Sequence, residues 1–167
     1  MIKRLELKME QEKKVPTLYE WAGGKEAFEI LITKFYEKVL SDDLLKPIFR
    51  HMSKEHQAHV ANFIMEVFGG PKMYTESGGS HFGMVKKHFG KHLNEEHRKQ
   101  FVKLLVDTAD EVDLPDDPEF RSAFLGYLEW GTRLAVINSN EDEIAMNADE
   151  PMPKWGWGEV GGPYIEN

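Results

Sequence analysis

The chain contains no cysteine, which excludes disulfide scaffolds, thiolate zinc sites and cysteine nucleophiles. No apolar run approaches the ~20 residues of a membrane-spanning helix. The first residues, Met1-Ile-Lys-Arg-Leu-Glu-Leu-Lys, put charges where a secretion signal has its apolar centre. Positive charge is also scarce: 21 Lys and Arg against 29 Asp and Glu leave a net charge of −8, which argues against a nucleic-acid partner. What remains is 167 residues, 41% apolar and 30% charged, enough for one ordinary domain with its own core. The expectation is a cytoplasmic protein without a membrane or nucleic-acid partner.

The acidic excess is concentrated at one end. Residues 139–167 carry seven acids against the single base Lys154, and the chain ends PMPKWGWGEVGGPYIEN, too rich in Gly and Pro for a regular helix or strand. Residues 1–14 are a charged stretch with weak apolar periodicity. The domain is therefore expected over 15–138, with an extension at each end. Inside it the helical period dominates. Ala27, Phe28, Leu31, Ile32, Phe35, Val39 and Leu40 recur at three- and four-residue steps and predict a helix over 26–40. A second helix is predicted from Ser53, a suitable N-cap, through Val60, Phe63, Ile64, Val67 and Phe68 to the stop Gly69-Gly70-Pro71. A third runs from about Asn94 through Phe101, Leu104, Leu105, Ala109 and Val112, and a fourth from about Pro118 to Asn138. No strand alternation is found, so the fold class is all-α. Between the second and third helices, 71–93 is glycine-rich and reads as irregular, and a segment of that length without structure is usually functional.

Three of the seven histidines lie in that segment. The pairs His56/His59 and His88/His92 have the spacing of a helix-borne metal pair, but neither has the Glu of a HExxH protease, and Gly90 interrupts the second. A single histidine suffices for haem, whose iron takes one imidazole and whose propionates attract cations. Lys86-Lys87-His88-Phe89 could supply ligand, cation and wall together, although a lysine pair beside a histidine also describes an ordinary solvated surface. Spacing alone leaves these readings open.

Taken in order, Tyr19-x-Trp21-Ala-Gly-Gly, Phe35-Tyr36-x-x-Val39, Leu45-x-Pro47-Ile48-Phe49, Phe63-Ile64, Val67-Phe68-Gly-Gly-Pro71, Tyr74-Thr75-Glu76 with His81, Met84-x-x-Lys87-His88 and Ala135-Val-Ile-Asn138 resemble the truncated (2-on-2) haemoglobins, most closely their group II branch. The resemblance covers about 17–138. It implies a truncated-globin sandwich of helices with an irregular segment before the proximal histidine, and haem b as cofactor.

By that resemblance His88 is the iron ligand, and Tyr36 and His56 face the bound ligand. Phe49, Val60, Phe63 and Ile64 line the haem pocket, while Lys87 pairs with a propionate. Phe101 stands where group II members usually carry a tryptophan, keeping the bulk and losing the N–H donor. The implied function is binding of oxygen and related diatomic ligands, with peroxidase or nitric-oxide-detoxifying chemistry if an electron donor, not identified by the sequence, is present. The implied assembly is a monomer or homodimer. Two alternatives stand beside it: a globin-fold signalling module without haem, and a non-haem metal enzyme built on the histidine pairs. Trp155 and Trp157 lie outside the resemblance. They either cover an apolar patch of the same subunit, guard the haem entrance or join two subunits.

Overall fold

The computed structural model describes residues 14–158. Of the charged stretch 1–14, all but Lys14 lies outside them, as do the last nine residues of the acidic tail. The described chain is helical throughout: α1 Leu18–Ala22, α2 Gly24–Val39, α3 Lys46–Phe49, α4 His56–Val67, α5 Met73–Glu76, α6 His81–His88, α7 Glu95–Glu111 and α8 Pro118–Asn140. None of the described helices is long and apolar enough to cross a membrane.

Two pairs of long helices face one another. α2 packs on α4 and on α7, and α7 packs on α8. The reason is the apolar stripe each carries. Phe28, Leu31, Ile32, Phe35, Tyr36 and Val39 of α2 are all buried, as are Phe120, Ala123, Phe124, Tyr127 and Leu128 of α8. Phe28 meets Phe68 edge-on at 5.8 Å, and Phe68 in turn meets Tyr127 at 5.3 Å. Local chemistry sets the helix ends. The Thr17 hydroxyl accepts from the Glu20 N–H, and Gly23, at φ 109°, breaks α1 from α2 in a left-handed conformation that suits glycine. Asn94 caps α7 with its side chain while the His97 ring accepts from the Asn94 N–H, a reciprocal capping box that accounts for that histidine.

Two boundaries differ from the sequence expectation. The second long helix begins at His56 rather than Ser53, and Ser53 contributes its carbonyl, not its hydroxyl, to the first turn. The segment 71–93 is not irregular: it holds α5 and α6. Side chains distant in sequence or outside the apolar pattern order it. Glu66 accepts from both the N–H and the hydroxyl of Thr75, and the Ser80 hydroxyl caps α6 by accepting from the Gly83 N–H. Gly79 passes so close to Tyr74 that a Cβ there would lie 2.5 Å from the ring. After α6, the chain is tied to the end of α8: the His92 N–H donates to the Ser139 carbonyl at 3.1 Å and the Leu93 N–H to the Ser139 hydroxyl at 2.9 Å.

The acidic tail folds back on the same subunit as far as it is described. The Trp155 N–H donates to the Val67 carbonyl, its indole N–H to the Ala123 carbonyl, and the Trp157 indole to the Pro16 carbonyl. Both tryptophans pack against the core, the first of the three roles expected for them.

Candidate functional site

Between the two helix pairs lies a cavity of about 470 Å³, lined mostly by apolar side chains. One wall is built by α6 and α8, which pack together. His88, the last residue of α6, lies half-buried on it. Its Nδ1 lies 2.9 Å from the Met84 carbonyl, one turn back. A carbonyl can only accept, so Nδ1 carries the proton and the lone pair sits on Nε2. Burial, with Lys87 and Lys91 nearby, holds His88 below the usual histidine value, against the opposing pull of the Met84 bond. The ring is a neutral imidazole with one nitrogen available to a ligand.

The other wall carries hydroxyl and imidazole together. Tyr36 of α2 is almost fully buried and its hydroxyl lies 3.0 Å from Nε2 of His56, the first residue of α4. Burial pushes the Tyr36 phenol well above its ordinary value, so it stays protonated. Burial, helped by the charge of Lys87 and the neighbouring His59 and His88, lowers the pKa of His56. Phe49 of α3 meets Tyr36 edge-on at 5.8 Å and stacks on Phe101 of α7 at 6.1 Å. Val60, Phe63 and Ile64 complete the apolar lining from α4. Lys87 is exposed at the cavity's edge and forms no ion pair among the described residues. All nine residues singled out from the sequence thus line one cavity.

The histidine pairs fare differently. His56 is already bonded to Tyr36. His92 lies beyond the end of α6, at φ 50°, and Gly90 turns left-handed between it and His88, so the second pair shares no helix face. Among the described residues no group of three or more His, Asp or Glu could hold a metal ion. Of the histidines that line the cavity, His56 and His97 are bonded to Tyr36 and Asn94, and His88 keeps its Nε2 free amid mostly apolar walls with lysines at the rim, an arrangement that fits a porphyrin iron and its propionates.

The match to known proteins agrees. Residues 17–130 match the bacterial-like globin family. The chain belongs to that family. The globin is 33% identical over 122 residues to the group 2 truncated haemoglobin YjbI of Bacillus subtilis, spanning 73% of this chain and 89% of the relative. It is 32% identical over 105 residues to a group 1 truncated haemoglobin of Tetrahymena thermophila, spanning 62% of this chain and 83% of that one. The crystal structure of the group II truncated haemoglobin of Bacillus anthracis superposes with a TM-score of 0.68 at 25% identity, covering 78% of this chain and 98% of the other. The globin thus belongs with the truncated haemoglobins, is similar to relatives of both group 1 and group 2, and shares its fold with a group II structure.

Several cavity residues were not among those singled out: Lys91 at the rim, Arg98, Tyr127, Trp130 and the tail's Pro153. Arg98 is buried yet neutralised by Glu95 and Glu129, so it serves the joint between α7 and α8. Tyr127 and Trp130 read from the sequence only as part of a helix. The one local signal there was two glycines, Gly126 and Gly131, inside a helix that would otherwise favour larger residues.

Proposed function

We propose that the cavity binds haem b and that the protein binds oxygen and related diatomic ligands there. His88 carries the proposal: a half-buried neutral imidazole whose Nδ1–H is committed to Met84, leaving Nε2 for iron across the cavity from Tyr36 and His56. Such fixing of the tautomer by the second nitrogen is what a ligating histidine requires. When bound, haem iron supplies an open coordination position and one-electron redox chemistry. The absence of cysteine leaves no thioether attachment and suits the b type. Phe49, Val60, Phe63, Ile64 and Phe101 would hold the macrocycle by apolar contact, and Lys87 would pair with a propionate.

The work of the other wall is hydrogen bonding. A neutral His56 with its proton on Nε2 donates to the Tyr36 oxygen, which frees the Tyr36 O–H to donate to the ligand. Linked donors of this kind polarise one another in a low-dielectric site. They stabilise negative charge developing on a diatomic ligand, which favours slow release. The same donors suit peroxide or nitric oxide chemistry where an electron donor is at hand.

Titrating haem into the purified protein tests the proposal. One equivalent per chain with a sharp Soret band, shifted by carbon monoxide after reduction, is the expected result. Absence of a Soret band after reconstitution would leave a globin fold used for something other than haem.

A further inference from the structure

Tyr127 is the second buried phenol of the cavity. Its ring is only 7% exposed, burial pushes its pKa well above the ordinary value, and unlike Tyr36 it has no hydrogen-bond partner for its hydroxyl among the described residues. The hydroxyl is not fully enclosed, since no fully enclosed polar atom among the described residues lacks a partner, and Tyr127 lines the cavity. The ring is held on several sides, edge-on by Phe68 at 5.3 Å and by Trp155 at 5.7 Å, and tilted against Trp130 at 6.1 Å.

Two glycines border the arrangement. A Cβ at Gly131, one turn along α8, would already touch the Tyr127 ring at 3.5 Å, so any longer side chain would close over the hydroxyl. A Cβ at Gly126 would meet the Trp155 indole at 3.5 Å. Glycine weakens a helix interior, and here the two glycines lie against a phenol and the tryptophan that braces it. That tryptophan comes from the tail, beyond the residues that match the family, and is fixed by bonds to Val67 and Ala123. Pro153, two residues before it, also lines the cavity.

We infer that Tyr127 is a second hydrogen-bond donor of the site, offered to an oxygen lone pair that enters the cavity, and that Trp155 is the positioning residue that aims it. The acceptor is an oxygen-bearing small molecule, either the bound diatomic ligand itself or a water beside His88. The chemistry is the same for both: an always-protonated phenol, starved of partners, donates to whatever acceptor enters. This rests on the haem reading above.

The test compares the haem-loaded wild type with Tyr127→Phe, Gly131→Leu, Trp155→Ala and Trp155→Phe, each checked for native helicity. Two bands are read: the carbon monoxide stretch of the ferrous complex and the iron–histidine stretch of the ligand-free ferrous protein. A shifted carbon monoxide band in Tyr127→Phe places the acceptor on the bound ligand. An unmoved carbon monoxide band with a shifted iron–histidine band places it on water beside His88. Gly131→Leu, which keeps the phenol but covers it, should reproduce the Tyr127→Phe shift. Trp155→Ala should reproduce part of it, and Trp155→Phe should restore the wild-type band. Haem uptake with both bands unmoved in Tyr127→Phe and Gly131→Leu overturns the inference while leaving the haem reading intact. A shift in Tyr127→Phe with wild-type bands in Trp155→Ala overturns the positioning role alone. A wild type that takes up no haem overturns both.

Discussion

The two walls of the cavity are built from the same kinds of amphipathic helix and do opposite chemistry. On the α6–α8 wall His88 has its Nδ1 tied to its own helix and keeps one bare lone pair. On the wall formed by α2 and α4, Tyr36 and His56 spend their polarity on each other. The difference lies in where the partner comes from. A carbonyl one turn back locks one tautomer and makes a ligand for a metal. A hydroxyl from another helix can donate or accept, and makes an adjustable donor for a small molecule. On the proposed reading, one wall holds the cofactor and the other stabilises its ligand.

Removing the donor from the stabilising wall should have the largest effect. Tyr36→Phe deletes the hydroxyl that faces the ligand, worth about 2 kcal/mol where the acceptor carries charge. Oxygen release measured by stopped flow should then quicken roughly thirtyfold; an unchanged rate would show that the two walls do not divide their work in this way. On the holding wall, Ser139→Ala strips the fully buried acceptor from the Leu93 N–H. A stability loss of about 1–3 kcal/mol, seen as a lower denaturation midpoint, is expected, together with weaker haem retention because this bond ties the chain after His88 to α8.

Restoring a donor works in the other direction and should count for less. Phe101 stacks on Phe49 and lines the cavity without a polar atom. Phe101→Trp adds an N–H, worth about 1 kcal/mol, so oxygen release should slow roughly fivefold. An unaltered rate would mean that position 101 does not reach the ligand.

The gentlest perturbation is acid. His56, His81 and His88 are all held below the usual histidine value, in each case chiefly by burial. Their unfolded forms therefore bind protons first as the pH falls. Stability of the haem-free protein is fully present above about pH 6.5 and declines as the pH drops toward the lowered folded values. Urea midpoints measured across that range should fall with acid, and less steeply in His56→Gln.

The long helices and the membership of both walls were legible in the sequence because they are written in local periodicity or in an ordered set of short motifs. Phe28 to Val39 announces a helix without help, and the order of Tyr36, Phe49 and His88 carried the resemblance. The segment 71–93 was misread for a physical reason. Its glycines look like loop, and the groups that order it, Glu66 on Thr75 and Ser139 on Leu93, act from 9 and 46 residues away. The Tyr36–His56 bond likewise joins residues 20 apart. Tyr127 was visible as one more apolar face. The tryptophan that meets its ring, Trp155, folds back 32 residues to bond Ala123, and no local pattern encodes that return.

The most direct test of the account is His88→Ala, compared with wild type by absorption spectroscopy after haem loading, without and with added imidazole. The account predicts that the variant loses the sharp Soret band or binds haem weakly, and that imidazole, entering the space left by the side chain, restores the wild-type spectrum. A His88→Ala protein with an unchanged Soret band and haem content would contradict it, and would move the iron ligand to another residue of the cavity.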